Sequence, residues 1–378
     1  MAADRTFDVI VVGAGIAGAA MAENLTDRGV RRVAVLEKES SYCTGASARS
    51  AGGVRQQFAE EAKIRAAMYS MACYERFAEI YGEDPGLKKH GYLVLATTRA
   101  GAAVLRRNMA LQNRLGLTSR FLSPDEVGEV VAPLNTSDLQ GATFSLEDGY
   151  LDPHALVQGY MKTFRSRGGV FEPDRRVVGF LIERGRVSGV TTTGGNYRAG
   201  AVVVAAGPFS GVLLERAGVR LPLEPCRRQI FCSGVVSGVE PHWPLVLDLD
   251  SSFYFRPETG GVIMSLAEVE PMSPPAEGNE IPLCRDHLDE LARRATWRCP
   301  LLAAAEIRSG WAGLRTITPD ERPLLGAVPG LEGLFVAAGF SGHGVTLAHF
   351  GGEVVSAAVV HEDPRCGDPA AFDPGRFA

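Results

Sequence analysis

The sequence predicts an α/β fold, and three observations carry that prediction. The apolar run Phe7 to Val12 passes through GAGIAG into an Ala-rich stretch and then a second apolar run, which is the pattern of a βαβ unit. Two further apolar runs that end in glycine, 199–211 and 332–344, lie far away in the chain and read as parallel strands buried on both faces. Between these pieces the pattern changes to alternating strands, as in an antiparallel sheet with one solvated face. Together they describe a Rossmann-like domain built from discontinuous segments, with an inserted α+β domain whose sheet is mainly antiparallel.

A chain of 378 residues suits about two such domains at roughly 150 residues each. Segments 1–85, 145–222 and 310–378 are assigned to the first domain, 86–144 and 223–309 to the second. Taken in order, the first strand is followed by a helix that ends near Arg28-Gly29 and by a strand within RRVAVLEKE at 31–39. An alternating strand follows at 91–98. A helix begins at SPDE, where Ser123 is the N-cap, Pro124 occupies the first turn and Glu126 completes a capping box. Another helix begins after Asp152 and stops at Gly168. Strands at 251–257 and 260–266 form a hairpin around Glu258-Thr259, and the stretch 268–280 is a Pro-rich acidic loop. The last apolar run leads through Gly339 to Gly344 into a C-terminal helix.

Composition narrows the functional classes. Hydrophobic residues make up 46% and charged residues 22%, and the net charge of -5 favours neither nucleic acid nor a membrane surface as partner. The seven cysteines are odd in number and form no CxxC pair, so reduced thiols are expected and no metal site. The sequence enters a strand almost at once, so no secretory leader is expected, and the most apolar late segment is interrupted by His349 and Glu353. A cytoplasmic protein without an integral membrane segment is expected.

Gly13, Gly15 and Gly18 sit where a dinucleotide-binding turn needs them. The first permits the tight turn, the second lets a pyrophosphate approach the backbone, and the third lets helix and strand pack. Glu37 closes the second strand, where an acid accepts hydrogen bonds from both ribose hydroxyls and repels a 2'-phosphate. This fingerprint does not separate NAD from FAD. A nucleotide domain finished only at the end of the chain favours FAD, and the Gly339 to Gly344 loop, with His343, would then aim backbone N–H groups at the flavin. An ordinary glycine-rich turn is the structural alternative. The small-residue loop from Cys43 to Phe58 permits close packing on a flat ring and carries Arg49 and Arg55, which read equally as solvated loop arginines. Arg315 has two readings, a local ion pair with Asp320 or Glu321 and a fork that fixes a substrate carboxylate. Tyr254 reads as a second donor to that carboxylate or as a buried strand tyrosine.

In this order, DVIVVGAGIAGAAMAENL, VAVLEKE, GYLDPHALVQGY, VVVAAGPFSG, FYFRP, WAGLRTITPDERPLLG and GLFVAAGFSGHGV resemble the FAD-dependent D-amino-acid oxidase family over nearly the whole chain. The likeness is to its glycine oxidase, sarcosine oxidase and D-amino-acid dehydrogenase branch. The resemblance implies cofactor contacts from Gly13, Gly15, Ile16, Ala17 and Gly18 in the turn, and from Glu37 and Lys38 at the second strand's end. Ala46, Ser47 and Arg49 follow in the small-residue loop, then Val177, Ala206, Gly207 and Gly313, and finally Gly342, His343, Gly344 and Val345. It places the carboxylate clamp on Arg315, assisted by Tyr254, with Arg55 matching a further carboxylate-binding arginine and Arg227 or Arg228 a weaker match for one more contact.

Three departures qualify the likeness. Gly313 stands where sarcosine oxidases tether FAD through cysteine, which implies non-covalent FAD. Ile263 stands where they carry an oxygen-activating lysine, which favours a dehydrogenase, and Thr346 replaces a second carboxylate-binding lysine. The implied activity is oxidation of the C–N bond of an amino acid, of D-amino acid, glycine or N-methyl glycine type, by hydride transfer to flavin N5. The imine product hydrolyses to an oxo acid. An FAD-dependent 2-hydroxy-acid dehydrogenase and a non-catalytic flavin-binding assembly protein are the alternatives. The electron acceptor, whether oxygen, a quinone or a partner subunit, is left open.

Overall fold

The computed structural model describes residues 5–267, 270–275 and 280–377. The alternation of Val9 and Val11 with Ile10 and Val12 sends side chains of the first strand, Arg5–Val12, into two separate apolar clusters on the two faces of one sheet. Among the described residues that sheet has eight strands. Arg5–Val12 lies between Gly195–Val204 and Val33–Leu36, parallel to both, and Leu334–Ala338 adds on beyond Gly195–Val204. The three distant apolar runs thus meet as neighbours, as their burial pattern predicts. Two antiparallel strands, Val177–Glu183 and Arg186–Thr192, extend Gly195–Val204.

Helix Ile16–Asp27 and helix Gly344–Val360 share the apolar cluster on one face of this sheet. An ion-pair network locks them together: Arg28, the C-cap of the first, pairs with Glu353 inside the second. The end of the chain is thereby docked against its beginning. The other anticipated caps also form. Ser123 and Glu126 make the reciprocal capping box, and the Asp152 side chain accepts from the His154 N–H at 2.8 Å.

Among the described residues the second sheet has nine strands. Its centre is the hairpin Phe253–Glu258 and Gly261–Leu266, turned by Thr259 and Gly260 at φ 48° and 76°. Pairing is antiparallel except between Leu245–Asp248 and Tyr92–Ala96. Period-2 alternation divides its faces. Phe231, Val246, Phe253 and Phe255 enter the second core, whereas Arg228, Ile230, Leu245, Leu247 and Tyr254 line a cavity. The long strand Ile307–Ile317 runs antiparallel to Glu224–Ser233 in this sheet. We propose a two-domain division that follows the sheets; the boundary expected at 310 falls inside that strand, whose partner lies in the second sheet. Residues 268–269 and 276–279 of the Pro-rich stretch lie outside the described residues. No helix among the described residues is long and apolar enough to cross a membrane.

Candidate active site

Residues of both sheets surround a cavity of about 1010 Å³, at the upper end of what small-molecule sites occupy. Among the described residues eight lysine and arginine side chains line it, against the carboxylates of Glu37, Asp248 and Glu321. Such a wall suits a ligand of several negative charges.

At one end the chain turns at Gly13, with φ 103°. A Cβ on Gly13 would lie 2.6 Å from the Ala205 carbonyl oxygen, and one on Gly18 would lie 1.9 Å from that of Gly13. Gly18 therefore shapes the turn without lining the cavity. Gly15 is the N-cap of Ile16–Asp27 and offers no side-chain cap, so the positive helix end faces the cavity that Gly15, Ile16 and Ala17 line. The Ile16 N–H donates to Ser47 Oγ at 3.0 Å, joining the helix start to the small-residue loop. Glu37 accepts N–H groups of Ala14 at 2.8 Å and Glu39 at 3.1 Å, and burial raises its pKa. Lys38 pairs with Glu39 and sits 4.4 Å from the Phe209 ring centroid. Val177, Ala206 and Gly207 complete this end together with Arg175, Arg176 and Arg216. Nothing in the local pattern singled out those three arginines. A cradle that any Cβ would fill, a bare helix N-terminus and a buried acid are what the diphosphate and ribose of FAD require.

In the middle, Ala46, Ser47 and Arg49 line the cavity. Arg49 is held by its own loop, donating through Nη1 to the carbonyls of Thr44 at 2.6 Å and Gly45 at 3.3 Å. Its stem covers Gly313, where a Cβ would lie 3.0 Å from Arg49 Cβ, and its carbonyl accepts from Trp311 Nε1 at 2.9 Å. Gly342, His343, Gly344 and Val345 form the facing wall where the last helix starts.

Arg315 reaches this wall from the strand Ile307–Ile317. The ion pair read for it in the sequence does not form. Asp320 is taken by Arg322 and, at 2.8 Å, by Arg376 of the C-terminal segment, which hold its carboxyl down to about 2. Glu321 is exposed and makes no ion pair with Arg315 among the described residues. Arg315 Nε is sealed from solvent with no hydrogen-bond partner, and desolvation lowers the guanidinium pKa. Gly342 packs so tightly that a Cβ there would lie 2.6 Å from Arg315 Nη1. Tyr254 lines the same cavity, within electrostatic reach of Arg315.

Arg55 stands nearby with its guanidinium 4.7 Å from the Phe58 ring centroid and its Nη2 3.3 Å from His343 Nε2. Burial, then the positive charges of Arg55, Lys63 and Arg315, push His343 well below the ordinary histidine range, so it is neutral. As Arg55 can only donate, His343 Nε2 accepts. Thr346 Oγ1 accepts the Arg55 N–H at 3.3 Å. Of the two consecutive arginines, Arg228 lines the cavity, while Arg227 pairs with Glu270 away from it. The candidacy of Arg227 as a substrate contact is thereby corrected, because adjacent strand residues face opposite sides. Ile263 is buried beside Cys232 and Arg256, on the sheet face opposite Val262 and Met264 of the core, and does not line the cavity. Tyr92, which does, was missed; its signal was the alternation of 91–98, which places it opposite Leu93 and Leu95 of the core.

A two-sheet frame, a glycine-tight nucleotide cradle and a basic cavity define a dinucleotide-dependent redox protein. The family model for FAD dependent oxidoreductases matches residues 8–358, and the chain belongs to that family. It is an FAD-dependent oxidoreductase. The chain is similar to FAD-dependent oxidoreductase domain-containing protein 1 of Bos taurus, 28% identical over 93% of this chain and 81% of that protein. Among solved structures it is similar to L-proline dehydrogenase from P. horikoshii, 28% identical with a TM-score of 0.90 over 99% of this chain and 98% of that one. Glycine oxidase from Geobacillus kaustophilus matches at 27% identity with a TM-score of 0.86, over 99% and 100%.

Proposed function

We propose that the protein oxidises the C–N bond of a carboxylate-bearing amine, with FAD held non-covalently. The observation that carries this reading is Arg315, a cation without an anionic partner on the wall of the cavity beside Tyr254. A guanidinium left unpaired in a desolvated site is costly unless a ligand supplies the missing anion. A carboxylate fits its parallel donors, and the Tyr254 hydroxyl would add a neutral donor to the same group. Two structural relatives, an L-proline dehydrogenase and a glycine oxidase, support an amino acid in that place.

When bound, FAD supplies a hydride acceptor for the hydrogen leaving the α-carbon, and the resulting imine hydrolyses to an oxo acid. Gly13, Gly15 and the start of the first helix would hold the diphosphate, and Glu37 the ribose. Gly313 leaves no thiol for a covalent tether at that strand. Arg315 and Tyr254 would fix the carboxylate and so the direction of the α-hydrogen. The neutral His343 fixes Arg55, and Thr346 holds its backbone. No side chain here is assigned as a base, so the substrate amine reacts as its neutral form and activity rises with pH.

Product stoichiometry tests the reading. Turnover with an artificial acceptor should release one equivalent of ammonia or amine per oxo acid formed. Turnover of a hydroxy acid, with no nitrogen released, would replace it.

A further inference from the structure

We propose that the substrate carries a second anionic group, so that its class is an amino dicarboxylic acid or an N-carboxyalkyl amino acid. This rests on the amine-oxidation reading above. Arg55 and Arg315 line one cavity, and neither forms an ion pair with a carboxylate among the described residues. Of the other charged groups nearby, Lys63 pairs with Glu60 and Asp248 with Arg298, while buried Asp148, which feels the charge of Arg55, is held by the Gln56 N–H and Gln57 Nε2 and not by a guanidinium. His343 feels both arginines and stays neutral, so it adds no charge. Glu321 is exposed to solvent and acts on Arg315 through its field alone, with no ion pair between them among the described residues. One carboxylate would therefore leave one guanidinium of the cavity wall without a direct anionic partner.

The two arginines are also anchored on different elements. Arg315 stands on the strand Ile307–Ile317, its Nη1 pressed against Gly342. Arg55 follows the strand Gly53–Val54, with its guanidinium held against Phe58 and Nη2 directed at His343. Independent anchoring presents two forks, one for each end of a dianion. Arg228, whose Nη1 donates to the Leu266 carbonyl at 2.5 Å, adds a further positive charge to the same wall.

The test uses calorimetric titration of the FAD-loaded protein with unreactive acids: acetate, propionate and butyrate against malonate, succinate and glutarate. The best dicarboxylate should bind at least about tenfold more tightly than the monocarboxylate of equal chain length, a difference of about 1.4 kcal/mol. Arg55→Gln should cost that dicarboxylate about tenfold and the monocarboxylate no more than about threefold, whereas Arg315→Gln should weaken both. Arg55→Lys, which keeps the charge, should retain most of the advantage. Equal binding of both series, or equal losses on Arg55→Gln, would overturn the proposal and put both arginines on one carboxylate. If no carboxylate binds, the amine-carboxylate reading falls with it. If hydroxy dicarboxylates turn over and amines do not, the dianion class stands and only the amine reading fails.

Discussion

Replacing Arg315 by methionine separates function from folding, because this guanidinium makes no hydrogen bond or ion pair with the protein among the described residues. Each charge-assisted bond to a carboxylate contributes about 1.5 to 3 kcal/mol, so two parallel bonds at the lower figure give about 3 kcal/mol. That corresponds to a loss of about two orders of magnitude in kcat/KM. The clamp grips ground state and transition state alike, so most of the loss should appear as a higher KM, at least about tenfold. Stability should behave in the opposite way. Arg315→Met removes a desolvated charge and keeps an apolar stem, so Tm should hold or rise. Steady-state kinetics on the true substrate and thermal unfolding of the same preparation give both numbers. Wild-type kcat/KM, or a fall in Tm that parallels the fall in activity, would refute the clamp.

Three other perturbations follow from the geometry. Gly18→Ala places a methyl group on the Gly13 carbonyl, and the purified variant should carry far less FAD than wild type by its visible absorbance. Asp148 is fully buried and accepts from the Gln56 N–H at 2.6 Å and Gln57 Nε2 at 2.9 Å, beside Arg55; burial raises its pKa from 3.8 to about 6. The folded state thus binds the extra proton, and its stabilising effect is full below pH 3.8 and lost as pH rises through 6. Asp148→Asn should abolish that decline, about 3 kcal/mol by this linkage, in denaturant unfolding measured across the window. His343, held neutral by burial and its cationic neighbours, should leave no mark on the pH–rate profile. His343→Gln should change the rate without moving the acidic limb, which belongs to the substrate amine; a shifted limb would assign it to the imidazole.

The nucleotide end was legible because its information is local. A turn, a helix start and an acid lie within one βαβ unit, and each residue's task follows from its place there. The substrate end was legible only in part, because long-range pairing decides it. The pairing of Glu224–Ser233 with Ile307–Ile317 and the pleat of that strand determine that Arg228 faces the cavity and Arg227 does not. The partner of Asp320 arrives from Arg376, 56 residues away, so a local ion pair with Arg315 was a fair expectation that the tertiary structure overruled. Tyr92 and the arginines at 175, 176 and 216 carry no motif and join the cavity through sheet packing alone.

The central claim is that a carboxylate-bearing amine delivers a hydride to the bound flavin. Anaerobic mixing of the FAD-loaded protein with a panel of D-, L- and N-methyl amino acids, dicarboxylic ones included, tests it most directly. At least one member should bleach the visible flavin band within the turnover time and yield its oxo acid with one equivalent of ammonia or amine, and Arg315→Met should need a far higher concentration of it. A flavin that stays oxidised with every amine, or that bleaches only with a hydroxy acid, would contradict the account.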